Sequence, residues 1–164
     1  MAQNDSQAKA LAQTYDYMRT LSKFYISKLS EIDIHKHYEI DGTKTNSAHW
    51  ILAHLVWTEH CLIIETIGGK ARELPWLSEF EVRSDAAKIK TKLTYEELVK
   101  LIDAAHSEAM AVLNALTDDD LDTEVDLMGN KSTKRRVLMH ATRHEPMHIG
   151  QISWMLKANN VKMV

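Results

Sequence analysis

Histidine is the residue whose placement could do chemistry in this chain. Nine occur in 164 positions, and three of them, His140, His144 and His148, recur every fourth residue in VLMHATRHEPMHIGQISWMLK. On a helical wheel of about 100° per residue the three span about 80°. That face also carries Val137, Ala141, Met147, Gln151 and Met155, while Thr142, Arg143, Ser153 and Lys157 fall opposite. The imidazoles thus lie in an apolar stripe and are expected to point into a helical core. His54, in WILAHLVWTEH, sits likewise among Trp50, Trp57 and Cys61.

A buried imidazole needs partners for both ring nitrogens. Few acidic residues share these faces, and a divalent cation would satisfy several imidazoles at once. Two histidines at i and i+4 can share an ion. A third from a facing helix completes a three-nitrogen set that leaves room for water or substrate. His54, His144 and His148 are the expected set. The alternative is core histidines bonded to backbone or water. His140, one turn earlier, reads as core filling or as a group beside the site.

HEPMH at 144–148 matches H-E-x-x-H literally. A zinc peptidase is disfavoured, because the sixteen residues after His148 contain no Asp, Glu or His to serve as a further ligand. Pro146 also lies inside the motif, removes one helical hydrogen bond and should bend or loosen the helix. Glu145 is a candidate base or supporting group, or simply a solvated side chain. Glu145 and His148 spell the di-iron half-motif E-x-x-H, but no second copy exists. Gln151, about 20° from His144 on the wheel, could orient a ligand.

Four helical patterns must position these residues. The first starts at Asp5 or Ser6 and should end by about His35. His35 and His37 fall in the loop that follows, with Asp41-Gly42 as its turn, and read as solvated. The second begins after Asn46 or Ser47 and runs to about Ile67, where Gly68-Gly69 stops it. Residues 68–93 form a long irregular connection, with a short helix expected near Leu77–Ala87. The third opens on a capping box, Thr94 with Glu97, and continues to Leu116. A loop through Gly129 leads to Ser132 or Thr133, the cap of a fourth helix ending near Ala158. Four long helices with one long connection predict an all-α, four-helix bundle over a single domain, 1–164. The second helix is apolar on both sides, so both sides need a cover. Either a partner subunit or the 68–93 connection supplies the second.

Composition excludes several classes. Lys plus Arg is 20 against 23 Asp plus Glu, a net charge of −3, so no basic excess marks a nucleic-acid partner. The short basic run KSTKRR at 131–136 reads as a solvated helix start. Cys61 is the lone cysteine, which excludes an internal disulfide framework and suits a reducing, cytoplasmic setting. It lies about 10 Å along the axis from His54, too far to share an ion easily. No apolar stretch reaches the roughly 18 residues of a membrane span, and no signal-peptide pattern opens the chain.

WILAHL around His54, followed 90 residues later by HEPMHIGQISWMLK, resembles the DinB-like (damage-inducible, YfiT-like) family of metal-dependent proteins. The parts that carry the likeness are W-x-x-x-H in the second helix and H-x-x-x-H-x-G-Q in the fourth. Helix order and length match over nearly the whole chain. Pro146 and Ile149 depart from the pattern. The resemblance implies a bundle in up-down-down-up order, one divalent metal (zinc, nickel or iron) on His54, His144 and His148, and a homodimer. It also implies an enzyme acting on a small molecule. That enzyme would be a metal-dependent hydrolase or a transferase using a low-molecular-weight thiol such as bacillithiol or mycothiol. The competing expectation is a non-catalytic metal- or ligand-binding dimeric bundle.

Overall fold

A computed structural model describes residues 6–70, 74–84 and 88–163. Ser6 caps the first helix, α1 (Gln7–Ser27), by accepting from the Lys9 amide at 3.3 Å; Asp5 lies outside the described residues. The helix stops earlier than its apolar pattern suggested and tightens into a 3₁₀ turn, Lys28–Glu31. Here the Ser27 and Ser30 hydroxyls donate to the carbonyls of Phe24 and Ser27. Such local bonds compete with helix continuation. A hairpin follows, β1 (Glu39–Ile40) against β2 (Thr43–Lys44). Its turn puts Asp41 and Gly42 at φ 49° and 75°, the conformation Asp-Gly supplies in a two-residue hairpin.

Ser47 caps α2 (Ala48–Thr58), accepting from Trp50 N–H at 3.2 Å. Beyond Thr58 the rod continues, but as a π-helix over Glu59–Ile67. Its i→i+5 bonding places more residues in each turn, so a 3.6-residue wheel loses its phase there. After Gly68 the connection packs back through a 3₁₀ segment, Pro75–Phe80, shorter than expected; residues 85–87 of the expected helix lie outside the described set. The Thr94–Glu97 capping box opens α3 (Tyr95–Asn114). Where a plain loop was expected around Gly129, a second hairpin forms, β3 (Glu124–Leu127) with β4 (Asn130–Thr133). Thr133 then caps α4 (Lys134–Ala158), which runs uninterrupted through Pro146.

Side-chain contacts give the directions. Gln7 meets Arg135 and Arg19 meets Glu145, so α1 and α4 run parallel. Lys23 meets Asp103, and Tyr95 donates to the Ile26 carbonyl, so α3 opposes α1. Leu93 N–H reaches His49 and Glu59 reaches His106, so α2 runs with α3. The order is up-down-down-up. Every residue from Ala48 to Val56 is buried within the single chain. The 3₁₀ segment does the covering, with Leu77 and Phe80 in the same core cluster as α2. The two apolar sides of α2 therefore give no argument for a partner subunit. Among the described residues, no helix is long and apolar enough to cross a membrane.

Gly68 sits where α2's extension touches α3. A Cβ built there would lie 2.6 Å from the Ile64 carbonyl oxygen and 2.9 Å from Val112 Cγ2. Its φ of −85° is open to any residue, so the clash alone decides the outcome. Gly68→Ala should lower unfolding free energy in urea by about 1–3 kcal/mol, the usual cost of overpacking.

Candidate metal centre

The fold brings His54 of α2 to His144 and His148 of α4. Ring centroids lie 5.3 Å (54–144), 5.0 Å (54–148) and 4.6 Å (144–148) apart. One ligand nitrogen from each ring falls within 4.8 Å of the other two.

Two of the three rings are held from behind. His54 Nδ1 lies 2.6 Å from the Phe80 carbonyl; as the donor, it leaves Nε2 with its lone pair free. Trp50 stacks on one side at 4.5 Å and Trp57 at 5.2 Å, so the ring cannot turn. His148 Nδ1 lies 2.9 Å from Gln151 Oε1 and donates to it. An imidazole whose second nitrogen donates to a carbonyl oxygen is the arrangement metal-ligating histidines adopt. His148 Nε2 and His144 Nδ1 are buried without a hydrogen-bond partner. An unsatisfied buried polar atom costs about 1–3 kcal/mol, and a cation would remove that cost.

Electrostatics keeps the rings neutral. Burial pushes His54 down to about 4, with His148 adding to the shift and the Phe80 carbonyl opposing it. His144 falls to about 3, through burial first and then the neighbouring His148, His54, His140 and Arg143. Burial lowers His148 as well. Neutral imidazole is the form that offers a lone pair.

The profile of the DinB superfamily matches residues 11–152. The chain belongs to the DinB superfamily. Two solved structures are similar to it. A DinB-like protein from Bacillus subtilis is 21% identical, with 92% of each chain covered and a TM-score of 0.64. A DinB-like protein from Bacillus cereus is 15% identical, with 95% of each chain covered and a TM-score of 0.69. No curated protein matches the sequence. At these identities the likeness to solved structures shows the fold alone.

In this DinB bundle the remaining candidates fall around the trio. His140 is half-buried, 5.6 Å from the His144 ring, and its Nδ1 accepts from Arg143 at 3.0 Å. Gln151 stands behind His148. Glu145 is buried, not solvated, and turns away from the trio to Arg19, 2.8 Å away. Cys61 is half-buried, with its thiol pushed up to about 11 by burial and by Glu65 and Glu81. The π-helix places it in a surface pocket with Glu65 and Met128. The Phe80 carbonyl and the buried ion cluster around Arg19 escaped sequence reasoning. The two tryptophans flanking His54 were visible there, but not their stacking.

That cluster joins Arg19, Glu59, Glu145, Tyr15 and His106. The His106 ring lies 2.9 Å from Glu59 and 3.0 Å from Asp16, one carboxylate on each nitrogen. Burial works to lower its pKa, but the bonds to Glu59 and Asp16 outweigh it and leave the value above the ordinary 6.5. Arg19 opposes this rise, and Tyr15 stacks on the ring. A raised folded value gives stability that is complete below the unfolded pKa and is lost as pH rises through the folded one. The stability advantage of wild type over His106→Phe in urea should therefore shrink as pH rises above the ordinary histidine value of about 6.5. An advantage that grew as pH rose would contradict the assignment.

Proposed function

We propose that this chain is a divalent-metal enzyme that holds zinc, nickel or iron on His54, His144 and His148 and acts on a small molecule. The observation that carries the reading is the convergence of three neutral imidazoles on one point, two of them bonded from behind. Among the described residues no carboxylate or thiol joins the group. A three-histidine set without a fourth protein ligand is the pattern of a catalytic site, whereas structural sites close all four positions. His144 is only half-buried, which leaves a way in from solvent. This favours a catalytic centre over a non-catalytic metal- or ligand-binding bundle. A homodimer and a cytoplasmic setting rest on the resemblance and on cysteine usage alone.

A bound divalent ion would acidify a thiol or water and polarise an electrophile. The chain's own groups divide the rest. Phe80 and Gln151 fix the ring orientations, and Trp50 and Trp57 exclude water from the His54 side. Glu145, the carboxylate that would serve as base in an H-E-x-x-H hydrolase, is committed to Arg19. A thiol starts far closer to neutrality than water and asks less of the ion, so a thiol-dependent transferase is the reading we favour over a hydrolase. A cleft of about 600 Å³ lies behind His148, with Gln151 in its wall and none of the three histidines lining it.

His144→Ala should abolish stoichiometric zinc binding, measured by elemental analysis after dialysis; full metal content in that variant would show the ligand set to be wrong. With a low-molecular-weight thiol and 1-chloro-2,4-dinitrobenzene, the zinc-loaded protein should form the thioether and release chloride faster than protein stripped by chelator. Equal rates would remove the transferase reading.

A further inference from the structure

Arg19 belongs to neither helix that carries the histidines, yet it grips both. Its Nη2 lies 2.9 Å from Glu59 Oε2 on the extension of α2 and 2.8 Å from Glu145 Oε2 on α4. The side chain is 2% exposed. Glu145 is the residue next to His144, and Glu59 follows His54 by five positions. Glu59 is held in turn by the Tyr15 hydroxyl at 2.8 Å and by His106 at 2.9 Å, from α1 and α3.

A buried ion cluster adds little net stability, because desolvation offsets most of the attraction, and its best-attested use is to fix registry. Both contacts fall on one guanidinium nitrogen, Nη2, so a single charged atom ties the two carboxylates together. Both clamped helices depart from regular i→i+4 bonding at this level. Pro146 leaves α4 one backbone donor short, and α2 changes to i→i+5 bonding at Glu59. Arg19 holds the carboxylates on these two turns.

We propose that Arg19 is a positioning residue for the metal centre: by clamping Glu59 and Glu145 it sets the spacing and rotation of α2 against α4, and so brings His54 to His144 and His148. The proposal rests on the metal reading above. On it, the glutamate of the H-E-x-x-H match is a structural anchor that faces away from the ion.

The test compares full-length wild type, Arg19→Met/Glu145→Leu and Arg19→Lys. The double variant removes one charge of each sign and leaves Glu59 to His106 and Tyr15. Zinc affinity is read by competition with a chromophoric chelator, geometry by the visible spectrum of the cobalt(II) form, and folding by circular dichroism and thermal melting. The double variant should keep its helicity and melt near wild type. Its zinc affinity should fall about 10–100-fold, as for other groups that orient metal ligands, with an altered cobalt spectrum. Arg19→Lys, keeping the charge but ending it short of the position of Nη2, should stay folded and lose affinity too, which keeps the test decisive if the double variant does not fold. Wild-type affinity and spectrum in a folded variant of either kind would overturn the proposal. If wild type itself bound no zinc, the metal reading would fall first; if wild type bound it, His144→Ala did not, and the Arg19 variants matched wild type, only the positioning role would fall.

Discussion

Three imidazoles cannot be buried side by side unless something takes their lone pairs. That constraint organises the molecule around residues 54, 144 and 148. Each nitrogen not aimed at the common point has to be tied elsewhere, and two of the three rings show how. His54 spends its proton on the Phe80 carbonyl and His148 on Gln151. The proton is thereby fixed on Nδ1 and the free pair on Nε2. Burial keeps the rings neutral, and the tryptophan stack keeps one of them still.

The long connection between α2 and α3 acquires a role from the same constraint. It seals the exposed side of α2 with Leu77 and Phe80, and it delivers the carbonyl that orients His54. Packing and site geometry are thus one feature. A chain that covered α2 by some other route would still have a core, but it would lose the tautomer.

On the other side of α4 the polar content is ionic. Arg19, Glu59, Glu145, His106 and Tyr15 are buried together, one layer away from the neutral histidines. The two layers differ in kind. One gathers neutral imidazole nitrogens, while the other holds a guanidinium between its carboxylates. Keeping the carboxylates on Arg19 leaves the trio purely imidazole, which separates this site from peptidase chemistry despite the H-E-x-x-H spelling.

Much of this was legible in one dimension. Histidine at four-residue spacing on an apolar face requires the rings to be buried together, because helical periodicity acts locally. Helix caps at Ser6, Ser47, Thr94 and Thr133 follow from side chains that bond their own backbone. The Asp41-Gly42 turn follows from two residues that tolerate positive φ. The change to π-helix at Glu59 left no such signal, so nothing in the chain shows that a 3.6-residue wheel loses its phase there. Glu145 stays open between base, supporting group and solvated side chain in the sequence, because nothing in its neighbourhood of the chain reveals an arginine 126 positions earlier. The sequence by itself determined which residues are candidates and which face of each helix they share. Tertiary structure alone decided which carbonyl holds His54, which element covers α2 and where Glu145 turns, since those contacts join segments that only the packing of the bundle brings together.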